Sequence, residues 1–172
     1  MEVDWRAFLL DPTTPPEGRP HPYPKEVREQ RSGPVHDMAA SVGLPMTDRD
    51  WVSNSRHALE GAEFVKEHAP EHFDAWHHAV FSAYFAEARD IGDMEVLKEI
   101  ASGIGIDADA MAQAVEEGHY RQRVDEDYQL AQRIGFSGVP AFILGNRAIV
   151  GAQPYEVFEE VMELLGREKR AS

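Results

Sequence analysis

Cysteine is absent from all 172 residues of the chain. Its absence excludes a disulfide framework, a thiolate zinc site and a thiol nucleophile among the chain's own side chains. Positive charge is scarce: Lys and Arg number 17 against 31 Asp and Glu, a net charge of −14. So acidic a chain repels phosphate backbones and anionic lipid, which makes nucleic acid and membrane surfaces poor partners. No apolar run approaches the roughly 18 residues that a spanning helix needs. Met1-Glu2-Val3-Asp4-Trp5 lacks the basic and apolar regions of a secretory signal, so the expected compartment is the cytoplasm. Dinucleotide fingerprints, Walker loops, nucleophile elbows and EF-hand loops are missing as well.

What remains is an ordinary globular composition, 42% hydrophobic and 28% charged, long enough for one domain with a sizeable core. Glu2 to Leu10 alternates as a strand, with Val3, Trp5, Ala7 and Leu9 on one face. Phe8, Leu9 and Leu10 suggest that both faces become buried towards its end. Asp11 to Pro24 holds six prolines, which deny backbone donors and read as an extended surface connector.

From Lys25 to about Ile134 the pattern is helical. Lys25 to Val42 forms a helix that Gly33-Pro34 should kink or divide. A second helix opens near Asn54, capped by Asn54 or Ser53, and reaches Ala69-Pro70. A third covers Glu71 to Ala88, with Phe73, Trp76, Val80, Phe81, Tyr84 and Phe85 on an aromatic stripe that reads as core. Asp93 and Asp107 are N-cap candidates for the next two helices. His119 to Ile134 is the last of the block, with Gly135 as its C-terminal cap. Then come a strand from Pro140 to Leu144, a turn at Gly145-Asn146-Arg147, a strand at Ala148 to Gly151, and a helix from Pro154 to Leu165. A strand, a helical block and a strand–turn–strand–helix ending is not the regular alternation of a doubly wound sheet.

These segments carry a family likeness. Val3 to Pro12 resembles the second strand of DsbA-like proteins of the FrnE type, and Phe81 to Gly92 resembles the helix-to-loop signature of their inserted helices. Gly135-Phe136-Ser137-Gly138-Val139-Pro140-Ala141-Phe142 and Gly151-Ala152-Gln153-Pro154 resemble their proline loop and last strand-to-helix junction. Relatives include glutathione-using 2-hydroxychromene-2-carboxylate isomerases. The resemblance implies an α/β, thioredoxin-like fold with an inserted helical subdomain, missing the first β-α unit. Residues 1–23 and 135–172 would form the thioredoxin-like portion, and 24–134 the inserted helices. In the family a first strand and a Cys-x-x-C helix precede the segment matched by Val3 to Leu10. Three readings stay open: a fragment, a lost gene start, or a domain reused without redox chemistry.

The likeness implies thiol–disulfide oxidoreduction or isomerisation, in which a thiolate attacks a disulfide and a second thiol resolves the intermediate. No catalytic residue can be named in this chain. Substrate-binding candidates are Ser137, Val139 and Pro140, with a cis Val139–Pro140 peptide implied, and Asn54, whose neighbourhood lines the ligand cleft in the isomerases. Glutathione is the alternative cofactor, supplying the missing thiol; an extended peptide is the other ligand expected. A homodimer or strand-exchanged assembly would cover the vacant side of the sheet, in the manner of a non-enzymatic assembly module. The eight histidines yield no metal-binding spacing: His77 and His78 diverge, and Pro70 separates His68 from His72.

Overall fold

Asp93 and Asp107 do what short polar side chains do ahead of an apolar periodic run. Asp93 accepts the Glu95 N–H at 3.0 Å and Asp107 the Ala110 N–H at 3.0 Å, each satisfying an orphan donor of a helix start. The structure, a computed structural model, describes residues 3–166. In chain order the elements are β1 (Arg19–Pro20), α1 (Lys25–Ser41), β2 (Trp51–Val52), α2 (Arg56–His68), a 3₁₀ turn (Pro70–His72), α3 (Phe73–Phe81) and a π turn (Ser82–Ala86). There follow α4 (Met94–Gly103), α5 (Ala108–Glu116), α6 (Arg121–Ile134), β3 (Ala141–Leu144), β4 (Arg147–Val150) and α7 (Tyr155–Leu164).

The main core sits where α2, α3, α4 and α5 meet. Val65, Trp76, Leu97, Met111 and Val115 are fully buried there. Each such side chain contributes roughly 1.5–3 kcal/mol relative to exposure. Gly61 lets α2 approach α3: a Cβ at that position would lie 2.8 Å from the Trp76 ring. A second, smaller cluster joins Ala7 and Leu9 to Val124 of α6, with Leu59 and Tyr128 beside it.

The expected strand at the front is a correction. Glu2 lies outside the described residues, and Val3 to Leu10 forms no ladder. Side chains take groups that a neighbouring strand would otherwise use. The Ala7 N–H donates to Asp127 Oδ2 at 3.0 Å, and the Trp5 carbonyl accepts from Lys66 Nζ. Alternation still selects Ala7 and Leu9 for burial, but Leu10 is 65% exposed, so the second face is not covered.

Other boundaries shift for local reasons. The proline-rich connector carries a strand after all: Arg19–Pro20 pairs antiparallel with Trp51–Val52. α1 runs through Gly33-Pro34 without division. The second helix starts at Arg56 rather than Asn54. The third ends in a π turn, after which Ala88 takes a left-handed φ of 55°. Thr47 and Arg49 hold that turn through its carbonyls: the Thr47 N–H and hydroxyl donate to the Phe85 and Ala86 carbonyls, and Arg49 donates to that of Tyr84. The aromatic stripe splits accordingly. Trp76 and Val80 enter the core, whereas Phe81 is 50% exposed, so it is not core throughout.

Gly135 closes α6 at φ 93°, as a C-terminal glycine can without steric cost. β3 and β4 form an antiparallel hairpin in which Phe142 faces Ile149 and Leu144 faces Arg147. The second strand therefore starts one residue earlier than the turn residues imply. Phe158 of α7 meets Phe142 edge-on at 4.9 Å and ties the closing helix to the hairpin.

Candidate functional site

The loop between α6 and β3 presents its backbone to solvent. Gly135 turns the chain, Phe136 returns its N–H to the Ala131 carbonyl at 2.9 Å, and the next residues lead into β3. Ser137 and Pro140 are exposed, and Val139 is 55% exposed. The Val139–Pro140 peptide is cis. Pro140 anchors the loop from the far side: its carbonyl accepts the Gly151 N–H at 2.8 Å, extending the hairpin by one rung. Among the described residues, no hydrogen bond uses the N–H or the carbonyl of Val139. Ser137, Val139 and Pro140 thus share one exposed loop with an open backbone position at its centre.

Asn54 stands elsewhere, at the start of α2. Its Oδ1 accepts the Arg56 N–H at 2.9 Å, and its Nδ2 donates to the Thr14 carbonyl at 2.7 Å and that of Pro15 at 3.3 Å. The amide thereby opens α2 and pins the proline-rich connector to it. The loop at Gly92 closes over the same place: a Cβ on Gly92 would lie 2.9 Å from the Asn54 carbonyl. His57 Nδ1 and the Gly92 carbonyl are 3.0 Å apart. The residues that bear on Asn54 are thus a backbone latch, with both ends of its amide engaged.

Three buried carboxylates had no distinguishing spacing in the sequence. Asp127 holds Arg6 at 3.1 Å as well as the Ala7 N–H. Glu63 pairs with Lys66 and with Arg123. Glu60 is 1% exposed, with neither carboxylate oxygen hydrogen-bonded among the described residues. Arg56, one turn earlier, comes only to 3.7 Å. Burial pushes the Glu60 carboxyl above its ordinary value, while Arg121 and Arg56 pull in the opposite direction. In so acidic a chain these three look like solvated helix faces, and only packing distinguishes them.

The surface offers two shallow depressions. One, of about 560 Å³, lies along α6 and is bordered by Arg6, Arg123, Arg133 and His119 together with Glu126 and Asp127. Its arginines are largely spent: Arg6 pairs with Asp4 and Asp127, and Arg123 with Glu63. The other, of about 390 Å³, lies between the Asp48–Ser53 stretch and Ala88–Asp90. No cluster of His, Asp or Glu suited to a metal ion occurs among the described residues. No helix among them is long and apolar enough to cross a membrane.

Known proteins share this chain's sequence and architecture. Protein YwbO of Bacillus subtilis (strain 168), described as uncharacterized, is 31% identical over 172 residues, covering 94% of this chain and 81% of that protein. Among solved structures, the probable DsbA oxidoreductase SCO1869 from Streptomyces coelicolor superposes with a TM-score of 0.80 at 27% identity, covering 97% of this chain and 76% of that one. A 2-hydroxychromene-2-carboxylate isomerase shares the fold with a TM-score of 0.69 at 22% identity, over 80% of this chain and 66% of its own. The model of the DSBA-like thioredoxin domain matches residues 1–163. With the mixed, mostly helical architecture described above, that match decides the assignment: the chain belongs to the family of DSBA-like thioredoxin domains.

Proposed function

We propose that this chain works as a binding member of its family. It engages an extended peptide segment at the Ser137–Pro140 loop and exchanges no disulfide with its own side chains. The observation that carries this reading is the N–H and carbonyl of Val139, unpaired among the described residues, beside an exposed proline. An extended chain can add to such an open position by main-chain hydrogen bonds, and the neighbouring Ile143 offers an exposed apolar contact. Thiol exchange needs a thiolate, and the sequence has none. The purified protein should leave insulin disulfides intact without added thiol. An unfolded peptide titrated into ¹⁵N-labelled protein should shift the Val139 and Ala141 amides first. Turnover without thiol, or shifts that spare this loop, would overturn the proposal.

Glutathione is the second candidate ligand, because it would bring the missing thiol to the same loop. Saturable binding of glutathione that competes with the peptide would favour it. For assembly, we propose a homodimer or strand-exchanged pair in the cytoplasm. The support is the apolar surface left open on the front segment and the hairpin, at Val3, Leu10, Val139 and Ile143. Light scattering on a size-exclusion column tests it directly: a monodisperse 19.3 kDa species removes the proposal.

A further inference from the structure

Trp5 belongs to no helix or strand, yet both of its ends are held. Its carbonyl accepts from Lys66 of α2, and its ring packs against the imidazole of His77 on α3, with centroids 4.4 Å apart. His77 in turn packs on Phe81 at 4.6 Å and lies 5.9 Å from Phe73. The imidazole is therefore a leaf between an indole from the front segment and the rings of its own helix. A neutral imidazole suits that place as an aromatic ring among aromatic rings. An imidazolium there is half-buried.

The charges that reach it come from each element packed around it. α2 contributes Lys66, and α3 contributes Asp74 and His78. Asp4 and Arg6 flank Trp5 on the front segment and are paired with each other. Burial disfavours the charged imidazole most, and His78 and Lys66 act in the same direction. Asp74 opposes them. The facing rings attract a cation as well, but the sum holds His77 below its ordinary value of 6.5.

We infer that the His77–Trp5 stack is an acid-released latch, which holds the Trp5 ring on α3 while the imidazole is neutral and lets the ring go when the imidazole gains a proton, the Lys66 bond to the Trp5 carbonyl staying in place. Release stops at Arg6, because Asp127 and Val124 of α6 hold Arg6, Ala7 and Leu9 independently of the stack. Opening bares one continuous aromatic row, His77, Phe81 and Phe85, whose centroids follow one another at 4.6 and 5.6 Å. The sign follows from proton binding. The released ring leaves a less buried histidine that takes up a proton more readily than the latched one. Latching is therefore at full strength above about pH 6.5, weakens as the pH falls through that value, and loses no more once the latched imidazole is itself protonated.

Two-dimensional NMR on the whole protein tests it. The chain has three tryptophans, so Trp5→Phe identifies the Trp5 indole signal. That signal and the His77 ring protons should share one midpoint below 6.5. For each half-unit by which His77 is depressed, the ratio of latched to released ring read from the Trp5 signal should fall roughly threefold on acidification. His77→Phe keeps a ring in the stack and removes the proton; its Trp5 signal should be flat over the same range. A His77 midpoint at or above 6.5 overturns the latch. So does a Trp5 signal that ignores His77, or one that still responds to pH in His77→Phe.

Discussion

The α2–α5 block and the hairpin with α7 are built from the same kinds of residue, yet they are packed very differently. The block closes over Trp76, Leu97, Met111 and Val65, none of which is more than 1% exposed. In the hairpin and α7 Ile149 alone is buried among the described residues, and Val139, Ile143 and Val150 each stay more than half exposed. Apolar burial is thus concentrated in one part of the molecule and exposed apolar surface in the other. The helical block supplies the apolar burial that opposes chain entropy. The thinner part carries the loop with the open backbone position, where close packing would remove the access that the proposed binding needs.

Substitutions can break this comparison at its strong end first. Trp76→Ala empties the densest point of the block and should cost about 3–5 kcal/mol in urea-induced unfolding. A loss below about 1 kcal/mol would mean that the block is not where stability resides. Asp127→Ala sharpens the boundary between the two parts. It leaves the buried Ala7 N–H without its partner, a cost of about 1–3 kcal/mol, and should raise hydrogen exchange at Ala7 while Trp76 stays protected. Unchanged exchange at Ala7 would show that the front segment is held by something other than this carboxylate. Ile143→Ala should have the smallest effect, within about 0.5 kcal/mol, because its side chain is mostly in water. A larger cost in equilibrium unfolding would reveal that this face is covered in solution.

The legible parts of the fold were those specified by neighbours in sequence. Asp93, Asp107 and Gly135 mark helix ends through their own side chain or lack of one, and each sits where its chemistry implies. The turn at Gly145-Asn146 separates two strands for the same reason. What escaped depends on distant partners. Arg19–Pro20 becomes a strand only because Trp51–Val52 lies beside it, and two residues are too short to show alternation. Conversely, Val3 to Leu10 alternates correctly and still has no ladder. At the candidate site, a proline at the entrance of a strand could be read locally, whereas its reading as a ligand loop came from the family resemblance. The engagement of Asn54 with Thr14 and Pro15, forty residues away, could not. The burial of Glu60 and Glu63 was equally hidden, since helical spacing alone does not say which carboxylate faces a neighbour.

α1 has a consequence of its own. It is a 17-residue helix with no buried residue, interrupted in composition by Gly33 and Pro34. Its ties are peripheral: Ser32 and His36 both reach Asp48, and Arg31 lies over the Tyr23 ring. A helix of this length gains little from its own backbone in water, and side chains tied only to peripheral residues add little cooperativity with the core. Its opening is therefore uncoupled from that of the rest. A protease would meet α1 as a series of short-lived unwound stretches and could cut it while α2 to α6 remain folded, so the chain would be shortened from a surface helix inward instead of being lost in a single event.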